Sequence, residues 1–531
     1  MSALPQRLHP FRHPSTRLAV GLLIAAGLIG TAAAQGASRL SGDLPSVQPC
    51  PSGLPVGSEC RRGRDYLGAW VWMARPAQWN RRLVVFTRGE PDLEPPAADR
   101  SEQDLQRWRF WLEAGYAWVG SGYRQPGLEL RAAADDSERA RQAFVADYGE
   151  PDFTLLHGQG WGAGVAVSVG SRYTVPDLHP RRTSSGRPPY SALLLTSGQL
   201  GGVRSLDALL DLRLIYQAAC RNHPGPGEGD YPLWMGLPPT SDPQRPVLTR
   251  TQLGERLEAC TGLSKPDSAR SPAQRQALER ITRVAGVPPA GLARVLAAAT
   301  WQMQDVVWRK LKGRNPFGNE GVVYPASGST EFDREVQDRL PRYQADPAAL
   351  AALTADQDPG ARLHRPVLTL HAVRDPIAPV ELEALWKQQM LEAGSDAHLL
   401  QMFLDDDRHD DLGSPTYLAA AAALEDWVRN GQRPSPAQVA QRCAADRPGV
   451  ASACRWLPEY EPRSLDERVP PRRRTQLPAP AASEPAPARP VVPPPNPAAA
   501  PNAATREPRL PSAPEPISPL TMPPAVTPPA R

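Results

Sequence analysis

The chain has 531 residues, of which 41% are hydrophobic and 22% charged, with a formal net charge of +4. Its 63 prolines are more than twice the usual share of about 5%, but its 41 glycines follow no three-residue period, which excludes collagen. Apolar runs and a small net charge exclude uniform disorder, and after residue 30 no stretch approaches the roughly 18 apolar residues of a membrane span.

In chain order, the first 34 residues read as a secretory signal. Arg7, Arg12 and Arg17 form a basic start, Leu18 to Gly30 an apolar core, and Ala32-Ala33-Ala34 a small-residue cleavage site. The apolar core is short for a bilayer, so cleavage is expected over an uncleaved anchor. The mature chain is then secreted or periplasmic, with no stable membrane span. Export makes the six cysteines candidates for disulfides. Short loops close at the lowest entropic cost, which favours Cys50–Cys60, Cys220–Cys260 and Cys443–Cys454. No CxxC occurs, so no metal is expected.

Residues 35–64 read as an N-terminal extension and 65–202 as the first part of an α/β core. Arg82 to Thr87 (RLVVFT) is a buried strand, Trp108 to Ala114 a helix, Ala117 to Ser121 a strand and Ser137 to Tyr148 an amphipathic helix. Phe153 to His157 and Ser191 to Thr196 are further strands. From 203 to 362 strand signals are scarce. Arg250–Cys260, Pro272–Ala285 and Pro289–Leu311 carry helical patterns, which implies a helical cap inserted in the core. Its tryptophans, Trp234, Trp301 and Trp308, read as helix packing. Residues 363–470 return to the core, with strands Pro366–His371 and Leu399–Leu404 and a helix over Pro415–Arg429. Residues 471–531 read as a disordered tail. Its stretch from 476 holds 19 of the 63 prolines and shows no periodicity.

The segment Leu155-Leu156-His157-Gly158-Gln159-Gly160-Trp161-Gly162-Ala163-Gly164 is a strand, a tight glycine turn and a helix start. This resembles the G-x-S-x-G nucleophile elbow of the α/β-hydrolase superfamily, in particular exported serine esterase- or peptidase-like members with a helical cap. The resemblance covers roughly residues 65–430. It implies a mostly parallel sheet flanked by helices. The nucleophile position, however, is Gly160. Glycine suits the strained turn but has no side chain to form an acyl intermediate.

The resemblance also implies an acid and a histidine later in the chain. Asp375 follows the strand Pro366–His371, and His409 follows Leu399–Leu404. In an intact triad His409 would take the nucleophile's proton and Asp375 would fix its tautomer. Structural alternatives are an Asp-Pro turn at Asp375, and at His409 an exposed residue among Asp405, Asp406, Asp407, Asp410 and Asp411. That acidic run lacks calcium-loop spacing. The oxyanion loop should follow RLVVFT, where Arg88-Gly89-Glu90 stands. Gly89 survives from an HGG-type turn. Arg88 offers a cation at the mouth, and the Trp161 N–H a second donor. Trp161 is also the aromatic best placed for a pocket.

No P-loop, Rossmann fingerprint or HExxH occurs, and no cofactor is expected. The +4 charge is spread along the chain, which argues against nucleic-acid binding. The favoured reading is an exported hydrolase-like protein whose hydrolysis is impaired or lost. It keeps a small-molecule or peptide ligand in the cleft between core and cap. One alternative is an active ester or amide hydrolase using another nucleophile or a water activated by His409. The other is an envelope interaction protein acting through its Pro-rich tail.

Overall fold

The computed structural model describes residues 44–174, 183, 186–239, 247–446 and 454–472. The expected signal segment lies outside these residues, as does the expected tail beyond residue 472.

One sheet organises the described residues. Its strands are β1 (Ser46–Gln48), β2 (Glu59–Arg64), β3 (Trp70–Arg75), β4 (Arg82–Thr87), β5 (Ala117–Ser121), β6 (Phe153–Gln159), β7 (Ala192–Thr196), β8 (Val367–Ala372) and β9 (Leu399–Leu404). Their spatial order is β1-β2-β3-β5-β4-β6-β7-β8-β9. The first three pair antiparallel, and β3 joins β5 antiparallel. From β5 to β9 every pairing is parallel. Parallel strands carry helices on both faces, so their side chains have no solvent side. Accordingly every residue of β5, β6, β7 and β8 is buried.

The core helices are α1 (Ala98–Arg107), α2 (Phe110–Glu113), α3 (Leu130–Tyr148) and α4 (Trp161–Tyr173). Between β7 and β8 come α5 (Val203–Cys220), α6 (Arg250–Thr261), α7 (Pro272–Ala285), α8 (Pro289–Ala297), α9 (Thr330–Arg339) and α10 (Pro347–Gln357). The chain closes with α11 (Glu381–Glu392), α12 (Ser414–Asn430) and α13 (Pro436–Asp446). One sheet face packs α3 and α4 through Ala140, Phe144, Val165 and Val169, and this core continues into the helices between β7 and β8. The other face packs α1, α2 and α12 through Leu105, Trp111, Tyr417 and Leu424. The result is the expected α/β architecture, a mostly parallel sheet between two helical layers.

Three local departures have physical causes. The segment 35–64, expected outside the core, supplies β1 and β2 to the same sheet. β2 reads ECRRGR, with no apolar alternation, because its arginines lie across aromatic rings. Arg62 covers Trp72, and Arg64 covers Trp70 at 4.4 Å. The helix expected over Trp108–Ala114 is instead α1 and the single turn α2, which meet at Trp108. α3 begins seven residues before Ser137, in an Ala-Ala-Ala-Asp-Asp stretch without an apolar stripe. There buried Asp136 takes the Arg124 N–H and pairs with Arg139.

The helix expected over Pro289–Leu311 starts as α8 and continues as π-helical turns at Ala298–Gln302 and Asp305–Lys310. Among the described residues no strand lies between β7 and β8. The three disulfides are Cys50–Cys60, Cys220–Cys260 and Cys443–Cys454, the pairs that proximity favours. The second ties the end of α5 to α6.

Candidate active site

The elbow is built from steric necessity. β6 runs into α4 through Gly160, whose φ of 56° and ψ of −124° lie where an L side chain is strained. A Cβ on Gly158 would stand 2.5 Å from the Gly162 carbonyl oxygen. One on Gly162 would stand 2.2 Å from the Thr87 oxygen and 2.4 Å from that of Arg88. Both flanking glycines are therefore required by close backbone approach. The Gly160 N–H donates to the Thr196 carbonyl at 2.9 Å, and its own carbonyl accepts from Gln199 N–H at 3.0 Å.

Asp375 and His409 meet beside this turn. His409 Nδ1 lies 2.8 Å from Asp375 Oδ2 and 3.1 Å from Oδ1. Asp375 Oδ1 also accepts the backbone N–H groups of Ile377 and Ala378, at 2.8 and 2.9 Å. The carboxylate thus fixes the turn after β8 and, through Nδ1–H, the imidazole tautomer. His409 is 4% exposed and Asp375 3%. Among the described residues His409 Nε2 has no hydrogen-bond partner, and it would lie 3.4 Å from a Cβ on Gly160. The histidine therefore aims its basic nitrogen at the nucleophile position.

A second histidine, His371 near the end of β8, serves the fold. Its Nδ1 lies 3.1 Å from Glu383 Oε1 and its Nε2 2.8 Å from the Ala378 oxygen. Burial alone would lower its pKa, but the bond and charge of Glu383, with Asp375, raise it. The acidic loop is pinned as well. Burial would raise the Asp406 carboxyl, but Arg408, two backbone N–H groups and Arg455 hold it well below its ordinary range. Asp410 is bound by Arg294 at 2.8 and 3.2 Å. Among the described residues no cluster of metal-ligating groups occurs.

Two expected roles in the oxyanion loop are corrected. Arg88 is not a free cation at the mouth. It pairs with Asp92 at 3.1 Å and with Asp104 at 3.5 Å, and its N–H donates to the Tyr123 hydroxyl. The Trp161 N–H is not free either, because it donates to the Gly89 carbonyl at 2.9 Å. The reason is the missing side chain. A Cβ on Gly160 would lie 2.7 Å from that same Gly89 oxygen, so only a glycine elbow lets the loop settle there. Two neighbouring hydroxyls are engaged in local bonds. Ser121 Oγ accepts from Tyr123 N–H, and Ser171 Oγ donates to the Ser168 carbonyl.

A cavity of about 520 Å³ adjoins the elbow, bounded by Gly89, Trp161 and the helices between β7 and β8. Among the described residues neither Gly160 nor His409 lines it, whereas Gly89 does. Gly89 and Trp161, joined by that backbone bond, both line it. Sequence reasoning missed Arg294 of α8, which binds Glu90 of the oxyanion loop and Asp410 of the histidine loop together. Nothing in its helical pattern singles it out. It also missed Trp301, which lines the cavity instead of only packing helices.

The strand order with its antiparallel start, the elbow, and an acid and histidine after β8 and β9 make this an α/β-hydrolase fold. No protein-family model matches the sequence, and no curated protein matches it. Among solved structures the chain is similar to Candida antarctica lipase A, at 11% identity over 82% of this chain and 90% of that one, TM-score 0.39. It is also similar to feruloyl esterase B from Aspergillus oryzae, at 12% identity over 75% and 90%, TM-score 0.36. A third is the rice cell wall degrading esterase LipA from Xanthomonas oryzae, at 13% identity over 70% and 87%, TM-score 0.31. The fold follows from this chain's own strand order and elbow, independently of these distant likenesses.

Proposed function

We propose that this protein is an exported ligand-binding member of the α/β-hydrolase fold that does no acyl-enzyme chemistry. A small-molecule or peptide ligand sits in the cavity between the core and the helices inserted after β7. One observation carries the reading. Gly160 offers no nucleophile, and the Gly89 carbonyl that lies over it takes up the Trp161 N–H. An oxyanion formed there would meet a carbonyl oxygen in place of a donor. The three disulfides are compatible with an oxidising compartment.

The preserved dyad favours a second reading. His409 Nε2 is buried and has no partner among the described residues, with Asp375 behind it, so a water at the elbow would find a general base. Such a route lacks a positioned nucleophile and an oxyanion donor, and would be slow.

The two readings separate in one assay on p-nitrophenyl esters and aminoacyl anilides. We expect no turnover from the purified protein. We also expect none from Gly160→Ser, whose Cβ would meet the Gly89 oxygen. Wild-type turnover that disappears in His409→Ala would overturn the first reading and establish the second.

A further inference from the structure

Charge on the cavity wall is almost entirely neutralised within the protein. Four of the five lining arginines are paired: Arg100 with Asp92 at 3.1 Å, Arg204 with Asp466 at 2.7 Å, Arg294 with Asp410 at 2.8 Å and Arg468 with Glu381 at 3.0 Å. The fifth, Arg250, has no carboxylate partner among the described residues. Its guanidinium lies 4.7 Å from the Trp301 ring centroid, stacked on another lining residue. That stacking orients the fork without consuming its hydrogen-bond donors. Arg250 also opens α6, where the helix dipole is positive. A cation placed there gains from an anion beside it.

Part of the wall is apolar. Leu206, Leu209, Val287 and Val295 line the cavity, and Arg250 itself is exposed. The volume falls in the range of about 300–1,000 Å³ common to small-molecule sites. Apolar stretches of wall, with one stacked guanidinium at an exposed position that has no carboxylate partner among the described residues, match a molecule with a hydrocarbon body and an anionic end. The body would leave water, and the head would stay at the mouth.

We propose that the cavity binds an amphiphilic carboxylate, its chain among the leucines and valines and its carboxylate on Arg250. This names the ligand class and rests on the binding reading above. Glu94 is the other lining charge without an ion pair among the described residues. It lies on an exposed loop outside helix and strand, with no ring contact orienting it. A cationic amphiphile is therefore the competing occupant.

Titration calorimetry on the full-length protein with dodecanoate, dodecanol and dodecylammonium, below micelle formation, tests the proposal. Dodecanoate should bind best. Arg250→Gln should weaken it about tenfold and leave dodecanol unchanged, while Arg250→Lys should recover part of the loss. Leu209→Trp, or Val295→Phe if that variant does not fold, should weaken all binding by filling the cavity. Dodecanol binding as tightly as dodecanoate, with no effect of Arg250→Gln, would overturn the carboxylate assignment. The cavity reading would stand as long as the filling variants still block binding. A preference for dodecylammonium would also overturn it. Binding indifferent to both filling variants, or no binding by any probe, would overturn the ligand class and the cavity reading together.

Discussion

Asp375 and His409 lie beside the elbow, while Gly160 and Trp161 form it and Gly89 lies over it. The first pair is held by bonds that also serve the fold. Asp375 anchors the turn after β8 through two N–H groups, and the His409 carbonyl accepts from Gln159 of β6. The second group is held by a close backbone approach that needs an empty space at residue 160. An acid–histidine pair that doubles as a structural tie is costly to replace. A nucleophile is not, because the elbow turn suits glycine at least as well as serine.

The largest expected effect tests the structural tie. Asp375→Ala leaves two N–H groups and the His409 Nδ1–H without an acceptor in a buried site, and should cost about 3–5 kcal/mol. Urea unfolding measures it, and a loss under about 1 kcal/mol would mean that the pair is not a structural anchor. Next comes the empty space. Gly160→Ala and Gly149→Ala both place a Cβ at positive φ, but only the first meets an atom, the Gly89 oxygen at 2.7 Å. Each should lose about 1–2 kcal/mol from the backbone, and Gly160→Ala a further ~1–3 kcal/mol from the collision. Equal losses in thermal unfolding would show that the loop yields freely. The smallest effect concerns Arg294, which joins the oxyanion and histidine loops through half-exposed pairs. Arg294→Gln should change stability by under about 1 kcal/mol, and less still at high salt.

Much of this site is written in local sequence. Gly158 and Gly162 are spaced for a strand–turn–helix, and the aliphatic runs before Asp375 and His409 place both at strand ends. Other features are not local. β2 is hidden because its arginines stack on Trp70 and Trp72, partners supplied by a different strand. Arg88 looks free in the sequence because Asp104 comes from α1, across a loop. The Gly89–Trp161 bond leaves no trace in sequence, since every residue but proline carries the same donor and acceptor. Only the absence of a side chain at 160 hints at it, and the hint comes without a direction.

The Gly89 carbonyl over the elbow makes the two positions epistatic. With the loop as it is, a serine at residue 160 collides with it before it can act. A loop that moved away while residue 160 stayed glycine would strand the Trp161 N–H and supply no nucleophile. Each single step is therefore unrewarded, and only the pair of changes would set a hydroxyl beside His409 with a free N–H near it. The hydrogen bond works as a ratchet on the sequence, so efforts to install catalysis in this fold should begin with the oxyanion loop and add the serine second.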